Sequence, residues 1–241
     1  MNFLRPALRH GKSPCECPPP PPPTPCPVCG HLPCTCPGGP KKKTIKVKLS
    51  KLRELTLHTN WDERIQFGDE LLSIEEYIQK LFGTLPHFLA GEDDLRQRWS
   101  QPDTRQQLLD LLAQSGFPED KLEMTRRFLE MDNCDMLDVL SYLAYNTTPI
   151  DRQKRAEILE EQARQKFTQE QQDFVRYIMQ LYVRNGFKEL ESEKLPTLIN
   201  MKYHSTVDAV RKLQMQPNQI RDFYWGMQQM LYNGTPLSRV S

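Results

Sequence analysis

The residues of this chain best suited to chemistry are its cysteines. Six of the seven lie between positions 15 and 36, and Cys26 and Cys29 are separated by two residues in CPVCG, with Gly30 next. Two thiolates at that spacing can turn onto one metal ion, and the glycine permits a tight knuckle. Cys34 and Cys36 would complete a tetrahedron of four thiolates, with His31 able to replace one, so Cys26, Cys29, Cys34 and Cys36 are the candidate ligands for zinc. Cys15 and Cys17 are poorly placed to join them. Pro18 to Pro23, Thr24 and Pro25 intervene, and a polyproline II tract of that length holds the groups roughly 28 Å apart. Free thiols on an unstructured tether are the competing reading, because the Cys-x-Cys of the second half is a less usual zinc spacing.

The second candidate is the run KKKTIKVKLSKLR, residues 41 to 53, which contains no acid. Lys41, Lys42, Lys43, Lys46 and Lys48 form its candidate nucleic-acid-binding set. If Ile45, Val47 and Leu49 face a core, Lys46 and Lys48 share the opposite strand face, where they could meet phosphates without reading sequence. The plainer alternative is a solvated strand whose lysines discourage edge pairing. No interleaved aromatics mark a base-stacking platform.

These candidates need elements to carry them. The 241 residues are 38% hydrophobic and 26% charged, enough for a modest core. A net charge of +1 supplies no global field toward nucleic acid or membrane. No run approaches the ~18 apolar residues of a membrane span, and MNFLRPALRH lacks the apolar stretch of a signal peptide, so a cytoplasmic protein is expected. Residues 11 to 43 are of low complexity, with too few large apolar groups to bury, and residues 1 to 43 are expected to form a Cys/Pro-rich disordered tether. Residues 44 to 241 are expected to form the folded domain. It opens with alternating residues that predict a β-hairpin over 44 to 57, turning near Ser50 and Lys51.

From Ser73 the signals are helical. Ser73 with Glu76 forms a capping box, followed by an apolar face of Ile74, Tyr77, Ile78, Leu81 and Phe82 before Gly83. Leu108, Leu109, Leu111 and Leu112 predict a helix after Pro102 that Gly116 ends. Further helices fit 122 to 131, 136 to 145, 151 to 164, 169 to 185, 205 to 213 and 219 to 232. Ser205 with Asp208 and Asn218 after Pro217 are the expected caps of the last two. The fold class is therefore all-α, with a small N-terminal hairpin. On the last helix, Ile220, Phe223, Met227 and Leu231 fit one core face. Trp225 and Met230 then fall nearer the outside, where adaptable apolar groups make partner contacts.

Three segments, FTQEQQDFVRYIMQLYVRNGF (167 to 187), LPTLINMKYH (195 to 204) and IRDFYWGMQQMLY (220 to 232), follow one another toward the C-terminus. With RQRWSQPDTRQQLLDLLAQSGF (96 to 117) and DNCDMLDVLSYLAY (132 to 145) upstream, the chain resembles the C-terminal helical domain of the R subunit of type I restriction-modification enzymes, EcoEI-like branch. That resemblance implies an assembly module that docks an ATP-dependent DNA translocase and nuclease onto a methyltransferase core of modification and specificity subunits. DNA would be met through the assembled complex. As an isolated chain, in split or truncated form, it is not expected to be an enzyme or to hold an ATP site. Gly38, Gly39, Lys43 and Thr44 lack the second glycine of a phosphate loop, and Pro40 removes an amide that should face phosphate. Pro102, Asp103, Glu119 and Lys121 imitate a nuclease spacing, yet both prolines, Pro102 and Pro118, stand where helices should begin. The alternative from the residues themselves is a stand-alone nucleic-acid-binding module built on the zinc knuckle and the basic strand 41 to 53.

Overall fold

Alternating burial in the first strands follows from their sequence. Val47 is buried between exposed Lys46 and Lys48 on β1 (Lys43–Ser50), and Leu55 and Leu57 are buried on β2 (Arg53–Thr59). The two strands pair through a turn at Lys51 and Leu52, as their alternation predicts. A computed structural model describes residues 43–59 and 64–234. The candidate zinc ligands Cys26, Cys29, Cys34 and Cys36, and Lys41 and Lys42, lie outside the described residues. From Thr44 onward the described residues belong to one unit.

A second hairpin, which the sequence reading did not anticipate, joins β3 (Arg64–Phe67) to β4 (Glu70–Ser73), with Ile65 opposite Leu72 and Phe67 opposite Glu70. Its two-residue turn is Gly68-Asp69, and Gly68 has φ +57, the positive value such turns require at their first position. The chain passes directly into α1 (Ile74–Phe88), capped as expected by Ser73 with Glu76. Gly83 does not end α1. Leu85 is fully buried one turn beyond Leu81, so tertiary packing carries the helix past the glycine. Pro86 sits inside the last turn, where the helix is about to stop.

Nine further helices follow among the described residues: α2 (Glu92–Trp99), α3 (Pro102–Gln114), α4 (Glu119–Phe128), α5 (Met136–Tyr145), α6 (Arg152–Lys166), α7 (Gln169–Asn185), α8 (Leu195–Tyr203), α9 (Thr206–Leu213) and α10 (Pro217–Asn233). Two short 3₁₀ turns, Phe187–Leu190 and Ser192–Lys194, separate α7 from α8. The all-helical expectation with a small hairpin at its entrance holds. α2 and α8 had no counterpart in the predicted elements. α10 begins earlier than expected, its cap being Gln216 reciprocated by Gln219, so Asn218 lies within the helix.

Gly116 ends α3 at φ +92, and a Cβ there would meet the Phe67 ring at 2.6 Å. That close approach lets Phe67 and Tyr77 pack their rings against Phe117, with centroids 5.3 and 5.4 Å away. The second hairpin, α1 and the end of α3 thus share one aromatic cluster. α6 packs along α7, and α10 crosses α2, α6 and α9. One apolar core runs continuously from Val47 to Tyr232. Among the described residues no helix is long and apolar enough to cross a membrane.

Candidate functional site

The last helix is anchored before anything on it can act. On its inner face Ile220, Tyr224, Met227, Gln228, Leu231 and Tyr232 are buried, while Phe223, expected in the core, is half-buried against Phe167 at 4.8 Å. Polar bonds fix the same face. Arg96 donates to the Tyr232 carbonyl at 3.0 Å, and the Tyr232 hydroxyl donates to Asp135 Oδ2 at 3.1 Å. Gln228 donates through Nε2 to the Leu190 carbonyl at 2.8 Å and accepts through Oε1 from Arg105 at 3.4 Å.

Beneath α10, Arg155 of α6 and Asp138 of α5 form an ion pair at 2.6 Å, with side chains 0% and 4% exposed. Asp138 also accepts from the Ile150 amide at 3.2 Å, and the Arg155 guanidinium lies 5.5 Å from the Tyr232 ring centroid. Burial works against the charge on Arg155, but Asp138, with Tyr182, Asp135 and Tyr232 behind it, holds the guanidinium above its ordinary pKa. Removing either partner would leave a buried charge uncompensated. Neighbouring Cys134 is buried, and that burial, with Asp138 and Asp151 adding to it, pushes its thiol up to about 12. It is therefore a protonated, unreactive thiol at neutral pH.

The outer face of α10 carries the two residues singled out for partner contact, and neither projects freely. Trp225 is half-buried, its indole N–H donating to Ser192 Oγ at 3.4 Å while the Arg221 guanidinium covers the ring at 4.9 Å. Met230 is half-buried against the core. Ser192 lies in the wall of a groove of about 460 Å³, shared with Glu191, Glu193 and, from α3, Asp103, Gln106 and Asp110. Burial pushes the Glu191 carboxyl up, with Arg105 opposing and Glu193 and Glu119 reinforcing the shift. Trp225 is thus tied, through Ser192, to the wall of an acidic groove.

The basic candidates occupy a different part of the fold. Lys43, Lys46 and Lys48 are exposed on β1, and Lys46 pairs with Glu54 at 3.2 Å across the hairpin. Arg53, from the same basic run, turns inward: it donates to the Leu143 carbonyl at 2.5 Å and to the Tyr142 carbonyl, and stacks on Tyr142 at 5.5 Å. It therefore serves the C-terminal end of α5, where cations are favoured. Asp103 and Glu119 lie in the first turns of α3 and α4, Glu119 paired with Lys188 at 2.7 Å, and Lys121 donates to the Gln66 carbonyl. Among the described residues no group of three or more His, Cys, Asp or Glu side chains could hold a metal ion.

The family model described as EcoEI R protein C-terminal matches residues 75–232, a span from the first turn of α1 to the end of α10. No curated protein and no solved structure matches the chain. Both hairpins lie upstream of the matched residues.

Proposed function

The chain belongs to the EcoEI R protein C-terminal family, the C-terminal domain of the R subunit of type I restriction enzymes, and we propose that it is a non-catalytic assembly module. In this reading it docks an ATP-dependent DNA translocase and nuclease onto the methyltransferase core of modification and specificity subunits. The observation that carries it is the family match across the whole helical bundle. A supporting feature is the rigid presentation of the α10 outer face, whose opposite side is held by Arg96, Asp135 and Gln228. A surface fixed in this way loses little freedom when a partner binds. Trp225 is the proposed anchor: large aromatics dominate interface energetics, its ring is covered by Arg221 and its indole N–H bonds Ser192, a residue of the acidic groove.

The test is binding of the chain to its cognate methyltransferase in the absence of DNA, followed by calorimetry. Trp225→Ala should weaken binding by about 2 kcal/mol or more while the helical circular dichroism signal stays intact. Loss of the helical signal would make Trp225 a packing residue. A folded wild-type chain that shows no association at micromolar concentration would end the docking reading.

A further inference from the structure

The β1–β2 hairpin has features that the docking role does not use. Between residues 43 and 59 the sequence carries five cations and one acid, Glu54. The structure divides those cations. Arg53 is spent on α5 carbonyls, whereas Lys46, Lys48 and Lys51 are exposed on one strand and the adjoining turn. At the turn stands Leu52, 99% exposed, more than any other large apolar side chain among the described residues. Its amide donates to Ser50 Oγ at 3.3 Å, so the turn that presents it is closed by a bond of its own.

A leucine held in water at the tip of a lysine-lined ribbon makes sense if something covers it. We propose that this hairpin is a duplex-DNA contact, with Lys46, Lys48 and Lys51 on backbone phosphates and Leu52 entering the groove as an apolar wedge. Charge complementarity and shape select the occupant. Two-stranded ribbons enter the major or the minor groove of DNA, lysines neutralise phosphates without reading sequence, and aliphatic side chains are among the wedges that architectural proteins insert at base steps from the minor groove. Single-stranded nucleic acid fits less well, because residues 43 to 59 include no Phe, Tyr or Trp on which a base could stack. The ion pair between Lys46 and Glu54 is exposed, at 70% and 51%, and such pairs are weak enough to be exchanged for a phosphate. The proposal concerns residues upstream of the family match and does not depend on the docking reading.

The experiment is fluorescence anisotropy of a labelled short duplex with the full chain across a salt series. Three phosphate contacts give a slope of about −2.7 in log affinity against log salt, or about 40-fold between roughly 50 and 200 mM. Lys46→Gln with Lys48→Gln and Lys51→Gln should remove that part of the slope. Leu52→Ser should lower affinity on the order of tenfold, as expected for re-exposing one leucine, with the slope unchanged. Glu54→Gln should tighten binding, since it frees Lys46. All five residues are exposed, so circular dichroism should match wild type throughout. Wild-type affinity and slope in the triple lysine variant would overturn the proposal, as would an unaffected Leu52→Ser. Binding to phosphatidylserine vesicles without binding to duplex would overturn it in favour of a membrane surface. Methyltransferase binding measured on the same variants should be unchanged, which keeps this outcome separate from that of the docking test.

Discussion

Replacing Arg155 by methionine is the sharpest test of what holds α10 in place. The guanidinium is fully buried, 2.6 Å from Asp138, 3.5 Å from the Leu231 carbonyl and stacked on the Tyr232 ring. Methionine restores most of the stem but strands the Asp138 carboxylate, whose remaining hydrogen-bond donor is the Ile150 amide at 3.2 Å. Breaking a buried pair on one side costs about 3–5 kcal/mol. For a domain of this size that corresponds to a drop of roughly 6 to 20 °C in Tm, at about 2–4 °C per kcal/mol. Asp138→Asn should cost a comparable amount, because it leaves Arg155 charged and facing a neutral amide. The double variant should recover much of either loss, since no buried charge then lacks a counterpart and well-packed neutral replacements of ion pairs are often tolerated. Thermal melts followed at the helical dichroism band, with urea titrations for free energies, complete the double-mutant cycle. A single Arg155→Met variant less than about 1 kcal/mol below wild type would refute the reasoning, as would strictly additive losses in the double variant.

Two further perturbations test local claims. The Glu76 carboxyl is held below its ordinary value by the Ser73 backbone and side-chain hydrogen bonds. Its contribution to the capping box is therefore present above the unfolded-state pKa and lost as pH falls through the folded one. The Tm difference between wild type and Glu76→Gln should shrink to nothing in acid, and a difference that grew on acidification would contradict it. We also propose that Cys26, Cys29, Cys34 and Cys36 hold zinc. Purified chain should then carry near-stoichiometric metal by elemental analysis, lost in Cys29→Ser with helicity unchanged; metal-free wild type would dispose of the site.

Much of the helical framework could be read from sequence because burial there follows the helical period and the caps are local. Met136–Tyr145 and Gln169–Asn185 have the predicted limits, and Ser73 with Glu76 and Ser205 before Asp208 cap as their spacing says. In α2 a buried polar residue with a distant contact displaced the local signal. Its segment EDDLRQRW offers only Leu95 and Trp99 as apolar core residues, because Arg96 occupies a third buried position to reach a carbonyl of α10. α8 begins with Leu195 and Pro196 immediately after a 3₁₀ turn, so no conventional cap announces it. The second hairpin did carry a local signal, the Gly68-Asp69 pair, flanked by strands of only four residues each.

The same displacement explains why the anchoring of the candidate site was hidden. The helix RQKRAEILEEQARQK reads as a solvated, charge-laced surface, and nothing local distinguishes Arg155 from Arg152 or Arg164. Asp138, its partner, lies 17 residues away on another helix. Buried ion pairs are selected by three-dimensional geometry, since a charge is tolerated inside only where its counterpart and remaining hydrogen bonds already converge. The consequence reaches the outer face of α10. Counting residues around the helix places Trp225 outside, yet it packs partly against the core, with Ser192 of a 3₁₀ turn and Arg221 one helical turn before it engaging the ring. Helical periodicity can therefore nominate the residues of a docking face, while the depth at which each sits depends also on contacts from other elements, such as the Ser192 bond to the Trp225 indole.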